Sequence, residues 1–529
     1  MGIYLNPNNV AMQQNMNTPI YVDKSMLIAE LNALVNSENR FICIARPRRF
    51  GKSMAGNMAA AYFSKGCDSR KLFSGLKLAQ DPSFEKYLNT LNVIKFDLNA
   101  MYNRYHKEVD FVETFQRLIV KDFVKQYPQL DIASDGTLSD AIAEVYSITG
   151  EQFVIIIDEY DVLVREQVNK TLFEDYLRFL NGLFKNADLA PAIALAYLTG
   201  ILPIVRDKIQ SKLNLFKEYT MTDAYQLSEF VGFTAEETQS LCKEHGMDYD
   251  ECRRWYDGYD LDSVKDVFSP CSVVNAMMAK HFGNYWTQTG SYEALRNYIL
   301  MNFDGIKDDV LHMMGGGKVE VSVMDYMNTM TDFRSKDDVF TYLIHLGYLA
   351  YDRQTQQCYI PNNEVRSQWV ASIKTSPDYK HIMEMVNNSK LLVEATIECD
   401  EQAVEAALTT SHGFVTSPLS YNNEQSLQSA IGLAYFYATA KYTIIRELPA
   451  GKGYADIVLI PYVPNTPAMV IELKNSEKAA ANTALQQIRD KKYFEALQNY
   501  QGDLLLVGVN YNPKTKEHTC KIERCTVGE

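Results

Sequence analysis

Four apolar runs punctuate the first part of the chain: Phe41–Ala45, Val93–Leu98, Phe153–Ile157 and Ala192–Thr199. Apart from Val93–Leu98, which carries Lys95 and Asp97, they are continuous rather than alternating, the pattern of strands buried on both faces of a parallel sheet. Helical spacing between them predicts crossover connections and an open α/β sheet. From about residue 231 to 300 the pattern becomes helical and polar-aromatic and contains WYDGYD at Trp255–Asp260. Within 301–385 lies FTYLIHLGYLAYDRQTQQCYIPNNEVR, which predicts a helix ending at Gly347, a strand, a turn and a second strand. That order is winged-helix-like, and Gly315–Gly317 breaks the chain before it. The remainder predicts a helix near Asn423–Thr439, then strands at Tyr442–Arg446, Tyr454–Ile460 and Ala468–Leu473. A long helix over about Ala479–Asn499 and a strand at Asp503–Val509 follow. The expected domains are therefore 1–230, 231–385 and 386–529.

Composition narrows the function classes. Of the 529 residues 47% are hydrophobic and 22% charged, which is ordinary for a folded chain and excludes a disordered one. The net charge of −14 argues against a surface coated in basic residues, though a local basic groove stays open. The longest apolar runs are strand-length, far short of the roughly 20 residues a bilayer span needs, so no membrane partner is expected. MGIYLNPNNV lacks the charged start and apolar stretch of a signal peptide, and Asn6 breaks the myristoylation pattern after Gly2. Nine scattered cysteines without a CxxC pair predict reduced thiols and a cytoplasmic protein. His518-x-Cys520-x4-Cys525 has metal-like residues, but an alternating strand accounts for it better.

Two stretches carry chemistry in the N-terminal part. Arg46-Pro-Arg-Arg-Phe-Gly-Lys-Ser53 follows an apolar strand and opens a helical pattern, the context of a phosphate-binding loop. Gly51 supplies the turn, Lys52 reaches the β- and γ-phosphates of ATP, and Ser53 binds Mg2+. The first glycine of GxxxxGK[ST] is replaced by Arg46. The run Phe153–Ile157 ends in Asp158 and Glu159. Asp158 suits the Mg2+ shell, and Glu159 suits the catalytic base that polarises water for attack on the γ-phosphate. Thr199 ends a sister strand and is either a γ-phosphate sensor or plain turn chemistry.

Together YVDKSMLIAEL, ARPRRFGKSM, IIDEYD and LTGILPI resemble the AAA-ATPase-like proteins fused to a C-terminal nuclease-like domain. WYDGY and GYL…IPNNEVR match that pattern too, so the resemblance covers most of the chain. It implies that RPRRFGKS is a normal form of this loop and that Asp23 and Lys24 belong to a VDKS block. Arg46, Arg48 and Arg49 are read as phosphate contacts or a finger on a neighbouring subunit's nucleotide, with a solvated loop as the alternative. Arg206 is a weaker finger candidate. A finger in trans implies a homo-oligomer.

The C-terminal part has a second constellation. Asp456 begins one predicted strand, and Ile471-Glu472-Leu473-Lys474 ends the next. Alternation puts Glu472 and Lys474 on one face, with Ile471 and Leu473 toward the core. Two carboxylates and a lysine at the end of an apolar strand suit Mg2+-assisted phosphodiester hydrolysis. The order helix–strand–strand–strand–helix–strand and these residues resemble the PD-(D/E)xK nuclease superfamily. That resemblance implies an additional metal-binding acid at Glu424 and a functional Gln487, with Tyr493 close by. Tyr454 departs from the arginine common at this place in relatives. Residues 470–529 carry nine basic and eight acidic side chains, against an acidic body, and Lys491 and Lys492 follow the site. Nucleic acid, DNA before RNA, is the expected partner.

No GxSxG elbow or GxGxxG loop appears, which removes the serine-hydrolase and Rossmann oxidoreductase classes. The expectation is an α/β chain: an ATP-binding P-loop domain, a helical and winged-helix-like middle, and an Mg2+-dependent nuclease. A role against foreign or mobile DNA follows by analogy. Two other readings stay open: a signalling ATPase whose tail binds without cutting, and a DNA-binding protein that reads through its middle region.

Overall fold

The computed structural model describes residues 2–108, 110–133, 136–166, 168–204, 215–261, 264–286, 295, 303, 305–324, 326, 333–374, 380–415, 427, 431–432, 434–435, 437–438, 441–450, 453–461, 466–477, 480–491 and 502–526. Two compact units emerge, and both are discontinuous in sequence. The first comprises Met1–Trp286 and Glu320–Asn362, the second Thr287–Val319 and Asn363–Glu529.

The first unit is built on a parallel sheet of β1 (Phe41–Ala45), β2 (Asn92–Asp97), β3 (Phe153–Asp158), β4 (Ile193–Gly200) and β5 (Lys217–Tyr219). The strand order is β2-β3-β4-β1-β5. All residues of β1, β3 and β4 are buried, as continuous apolar runs require of strands covered on both faces. β4 lies between the strand that feeds the phosphate loop and the strand that ends in acids, so three strand ends converge. Ligands of open α/β sheets bind at such carboxyl ends.

Residues 231–286 and 320–362 belong to the same unit and pack against Pro47 and Phe50, just after β1. The helix Ala235–His245 starts at a capping box in which Thr234 and Glu237 satisfy each other's backbone amides. The helix Tyr249–Tyr256 and the short strands β6 (Tyr259–Leu261) and β7 (Val264–Val267) follow. The two-residue β8 (Val319–Glu320) precedes the helix Lys336–Leu346, which ends at Gly347. A hairpin of β9 (Ala350–Asp352) and β10 (Gln357–Tyr359) comes next, the predicted helix–strand–turn–strand order. The WYDGY and IPNNEVR stretches, about a hundred residues apart, meet here. Asn362 Nδ2 donates to the Asp257 carbonyl at 2.7 Å, and the Tyr359 hydroxyl to the Gly258 carbonyl at 3.1 Å.

The second unit carries a mixed sheet of β11 (Tyr442–Ala450), β12 (Gly453–Pro461), β13 (Ala468–Asn475), β14 (Asp503–Asn512) and β15 (Glu517–Thr526), in that order. Only β13 and β14 run parallel. They are joined through the helix Ala481–Asp490, the crossover that a parallel pair needs. Met469, Ile471 and Leu473 pack in one core with Leu392, Val393, Val404 and Leu408 of two long helices. Val470 packs in a second core with Leu485 and Ile488 of the crossover helix. β15 runs through His518, Cys520 and Cys525 as the alternating strand that the sequence favoured. Among the described residues no helix is long and apolar enough to cross a membrane.

Candidate functional site

The phosphate loop turns between β1 and the helix Lys52–Phe63. Gly51 is the N-cap of that helix with φ 95°, and Arg49 also lies in the left-handed region, at 67°. Glycine reaches this region without strain, and consecutive turns of this kind point backbone N–H groups into a concavity. Lys52 is buried, and its ammonium donates to the carbonyls of Arg46 (2.9 Å) and Pro47 (2.8 Å). Burial pulls its pKa down to about 8, against the opposing pull of Glu159, Asp161 and Asp158. Ser53 is exposed at the mouth of the loop.

Asp158 ends β3 and is buried. Its Oδ1 accepts from the Thr199 hydroxyl and from the Glu159 amide. Thr199 is placed to do this because β4 is the intervening strand: it pairs with Ile44 of β1, while its neighbour Leu198 pairs with Ile157 of β3. Glu159 stands in the left-handed region, at φ 54°, a conformation that a non-glycine residue holds only where its surroundings impose it. Its carboxylate pairs with Arg165, and burial raises its pKa. Arg165 also reaches Asp161 at 3.2 Å, and Asp161 accepts the amides of Ile201 and Leu202. Arg165 and Asp161 were not singled out from the sequence. The available signal was their i,i+4 spacing immediately after the acidic strand end.

The three loop arginines separate. Arg46 is fully buried, and its Nη1 donates to the carbonyls of Ala45 (3.1 Å), Tyr219 (3.1 Å) and Thr220 (2.6 Å). Its guanidinium therefore faces β5 and the protein interior. Arg49 donates to the Tyr285 carbonyl at 3.3 Å and approaches Cys271 Sγ at 3.5 Å. Arg48 is exposed. Arg206 lies outside the described residues. Pro47 and Phe50 hold the loop as well. Gly347, at φ 85°, lies so close that a Cβ there would stand 2.8 Å from Pro47, and Phe50 meets Tyr259 edge to face.

A cavity of about 420 Å³ opens from the loop. Gly51, Lys52, Ser53 and Glu159 form its polar end, and Ile20, Val22, Phe233 and Val274 its apolar wall. Lys24 closes one side, donating to Glu237 at 2.6 Å and to the Glu229 carbonyl at 2.5 Å. Asp23 accepts the Lys77 amide at 2.7 Å. The VDKS block is thus a clasp between the N-terminal segment and the helix behind the cavity. The polar end and apolar wall suit a triphosphate and a purine respectively.

In the second unit, the β12–β13 ladder pairs Ile457 with Ile471 and then opens. The next positions are Asp456 and Glu472. Asp456 Oδ2 accepts the Leu473 amide at 2.7 Å. Glu472 is buried, Lys474 Nζ donates to its Oε1 at 3.1 Å, and Gln487 of the crossover helix donates to the same oxygen. The other oxygen, Oε2, is buried without a hydrogen-bond partner among the described residues. Burial and the charge of Asp456 push the Glu472 carboxyl up to about 7, and Lys474 and Lys491 oppose this. A buried, unpaired carboxylate oxygen beside a second carboxylate fits a hard cation, which would satisfy both. Among the described residues no cluster of three or more metal-type side chains forms. Glu424, Lys492 and Tyr493 lie outside the described residues.

Residues 12–210 match the family model described as "Predicted AAA-ATPase". Residues 422–520 match that of the PD-(D/E)XK nuclease superfamily. The chain joins an AAA-ATPase-like domain to a nuclease-superfamily domain. It is also similar along its length to the "Uncharacterized protein in vnfD 5'region" of Azotobacter chroococcum mcd 1, at 21% identity over 512 residues and 93% of either chain. The first match contains the phosphate loop, Asp158, Glu159 and Thr199. The second contains Asp456, Glu472, Lys474 and Gln487.

Proposed function

We propose that the protein binds and hydrolyses ATP in its first unit and cleaves DNA with Mg2+ in its second. The nuclease half of this reading is carried by the convergence of Asp456, Glu472, Lys474 and Gln487 where two strands part. Asp456 and Glu472 would hold the cation, which supplies Lewis acidity and a more acidic bound water. Lys474 would orient the attacking water or offset charge on the phosphate. Gln487 fixes the Glu472 carboxylate through its donated hydrogen bond.

In the first unit, Lys52 would leave the loop carbonyls for the β- and γ-phosphates. Ser53 and Asp158 would hold Mg2+, Glu159 would act as the base, and Thr199 would report on the γ-phosphate through Asp158. Arg48, the exposed loop arginine, is the phosphate or finger candidate. Defence against foreign or mobile DNA is the setting this combination suits. The reading is tested by cleavage of plasmid, linear and single-stranded DNA with Mg2+ or Mn2+, with and without ATP. Wild type should cut, Asp456→Ala should not, and Lys52→Ala should change the rate. ATP hydrolysis with every nucleic acid left intact would remove the nuclease half.

One observation favours a second reading, an ATP-driven conformational switch. Glu159 is held by Arg165, and Lys52 by its own loop, so nucleotide must rearrange both before turnover. An ATP-dependent change in mass without cleavage would favour this alternative.

A further inference from the structure

β14 carries a buried polar atom that the fold does not use. Asn510 is 3% exposed, and its Oδ1 has no hydrogen-bond partner among the described residues. Its Nδ2 donates to the Ser476 carbonyl at 3.2 Å, which sets the direction of the amide and leaves the oxygen as the unpaired end. The parallel register of β13 and β14 sets Glu472 beside Gly508 and Lys474 beside Asn510. Leu504 and Leu506 pack in the core of the crossover helix, and Val507 and Val509 in the opposite core. A Cβ at Gly508 would run into the Ala481 carbonyl oxygen of that helix. Alternation therefore puts Asn510 on the crossover-helix side, the side of Glu472 and Lys474, with Lys474 about 4.8 Å away across the sheet.

We infer that Asn510 is a positioning residue for Lys474, whose ammonium moves from Glu472 to the Asn510 amide oxygen when a divalent cation takes the Glu472 carboxylate. This rests on the metal site of the reading above. Lys474 Nζ now donates to Glu472 Oε1 at 3.1 Å. The ammonium cannot share that oxygen with a divalent cation, because the two like charges repel. A buried amide oxygen without a donor is costly, and its neighbour in register has three donors on a flexible stem. The exchange breaks one hydrogen bond and makes another, and it keeps Lys474 at the carboxyl ends of the two strands instead of releasing it to solvent. Asparagine suits the position. It accepts from the ammonium without adding a charge that would draw the cation away from Asp456 and Glu472.

The test is Mn2+ affinity, read by calorimetry at the site that Glu472→Gln abolishes. Full-length wild type, Asn510→Ala, Lys474→Met and the double variant are compared. In Asn510→Ala the ammonium has nowhere else to go and competes with the cation, so affinity should fall about tenfold, the worth of one hydrogen bond to a charged group. In the Lys474→Met background, Asn510→Ala should leave affinity nearly unchanged. An equal loss in both backgrounds makes Asn510 a packing residue and overturns the inference, as does no loss in either. A second measurement needs no change at Asn510. Acylation of Lys474 in wild type, followed by mass spectrometry, should be no faster with Ca2+ than without it. A severalfold rise would show the ammonium released to solvent and overturn the exchange. The two readings fail separately. Coupled Mn2+ binding by a wild type that cuts nothing removes the nuclease and keeps the exchange. Cleavage with uncoupled Mn2+ binding does the reverse, and absence of any Glu472-dependent Mn2+ site removes both.

Discussion

The ammonium of Lys52 donates to the Pro47 carbonyl at 2.8 Å, so the lysine is turned onto its own loop. Among the described residues its charge meets carbonyl dipoles and the acids Glu159, Asp161 and Asp158, and burial outweighs them and lowers the pKa to about 8. Phosphates would supply the missing negative charge and restore the ammonium fully. ATP binding at about pH 8 should therefore take up roughly half a proton, and clearly less a pH unit or more lower. Calorimetry in two buffers of different ionisation enthalpy reads this directly. The buffer dependence should vanish in Lys52→Met. A buffer-independent enthalpy in wild type would contradict the arrangement.

Arg46 and Arg48 lie two residues apart and should respond in opposite ways. Arg46 is buried and donates to three carbonyls that join β1 to β5. Arg46→Ala leaves those carbonyls without their charged donor and should cost about 2–4 kcal/mol of stability in the first unit. Arg48→Ala, at an exposed position, should stay within about 0.5 kcal/mol. Thermal unfolding followed by tryptophan fluorescence separates the two. ATP affinity in Arg46→Ala should fall only as far as the fold does. An intact melting curve with lost ATP binding would return Arg46 to the phosphates.

Continuous apolar runs predicted β1, β3 and β4 because a strand buried on both faces has no polar option. Asp158 and Lys474 were visible because charge at the end of such a run needs a reason. Alternation alone set Glu472 and Lys474 on one face, and the crossover helix covers that face. The direction of Arg46 was not legible, because a loop arginine can face phosphate or interior, and only the position of β5 decides it. The Thr199–Asp158 bond was equally hidden, since it depends on which strand lies between β1 and β3. The Arg165–Glu159 pair depends on a left-handed backbone at Glu159 that no residue type announces. The clasp from Lys24 to Glu237 joins positions more than two hundred residues apart, and only the fold brings them together.

Glu159 is expected to matter for turnover and not for binding. Its carboxylate is at the polar end of the cavity but paired with Arg165, so it touches the reaction only after release. Glu159→Gln keeps the shape and removes the carboxylate proposed as the base. Steady-state hydrolysis should fall about 10²- to 10⁴-fold, the usual worth of a general base, while ATP affinity changes little. Parallel measurement of phosphate release and nucleotide binding decides the point. Unchanged hydrolysis would pass the base role to another residue.

The last prediction concerns Glu472, whose carboxyl is pushed up to about 7 from 4.5. A carboxyl raised on folding favours the protonated native state. Its contribution to stability is complete below about pH 4.5 and is lost as pH rises through about 7. Without divalent cation the second unit should therefore melt at a lower temperature at about pH 8 than at about pH 6, and Glu472→Gln should flatten that slope. A cation needs the ionised form, so Mg2+ or Mn2+ should restore the melting temperature at the higher pH and release a proton near neutrality. Cleavage at limiting Mg2+ should rise with a midpoint near pH 7, and that midpoint should move down as Mg2+ increases, because metal and proton compete for one oxygen pair. A midpoint that ignores Mg2+ concentration would mean that the titrating group is not a metal ligand.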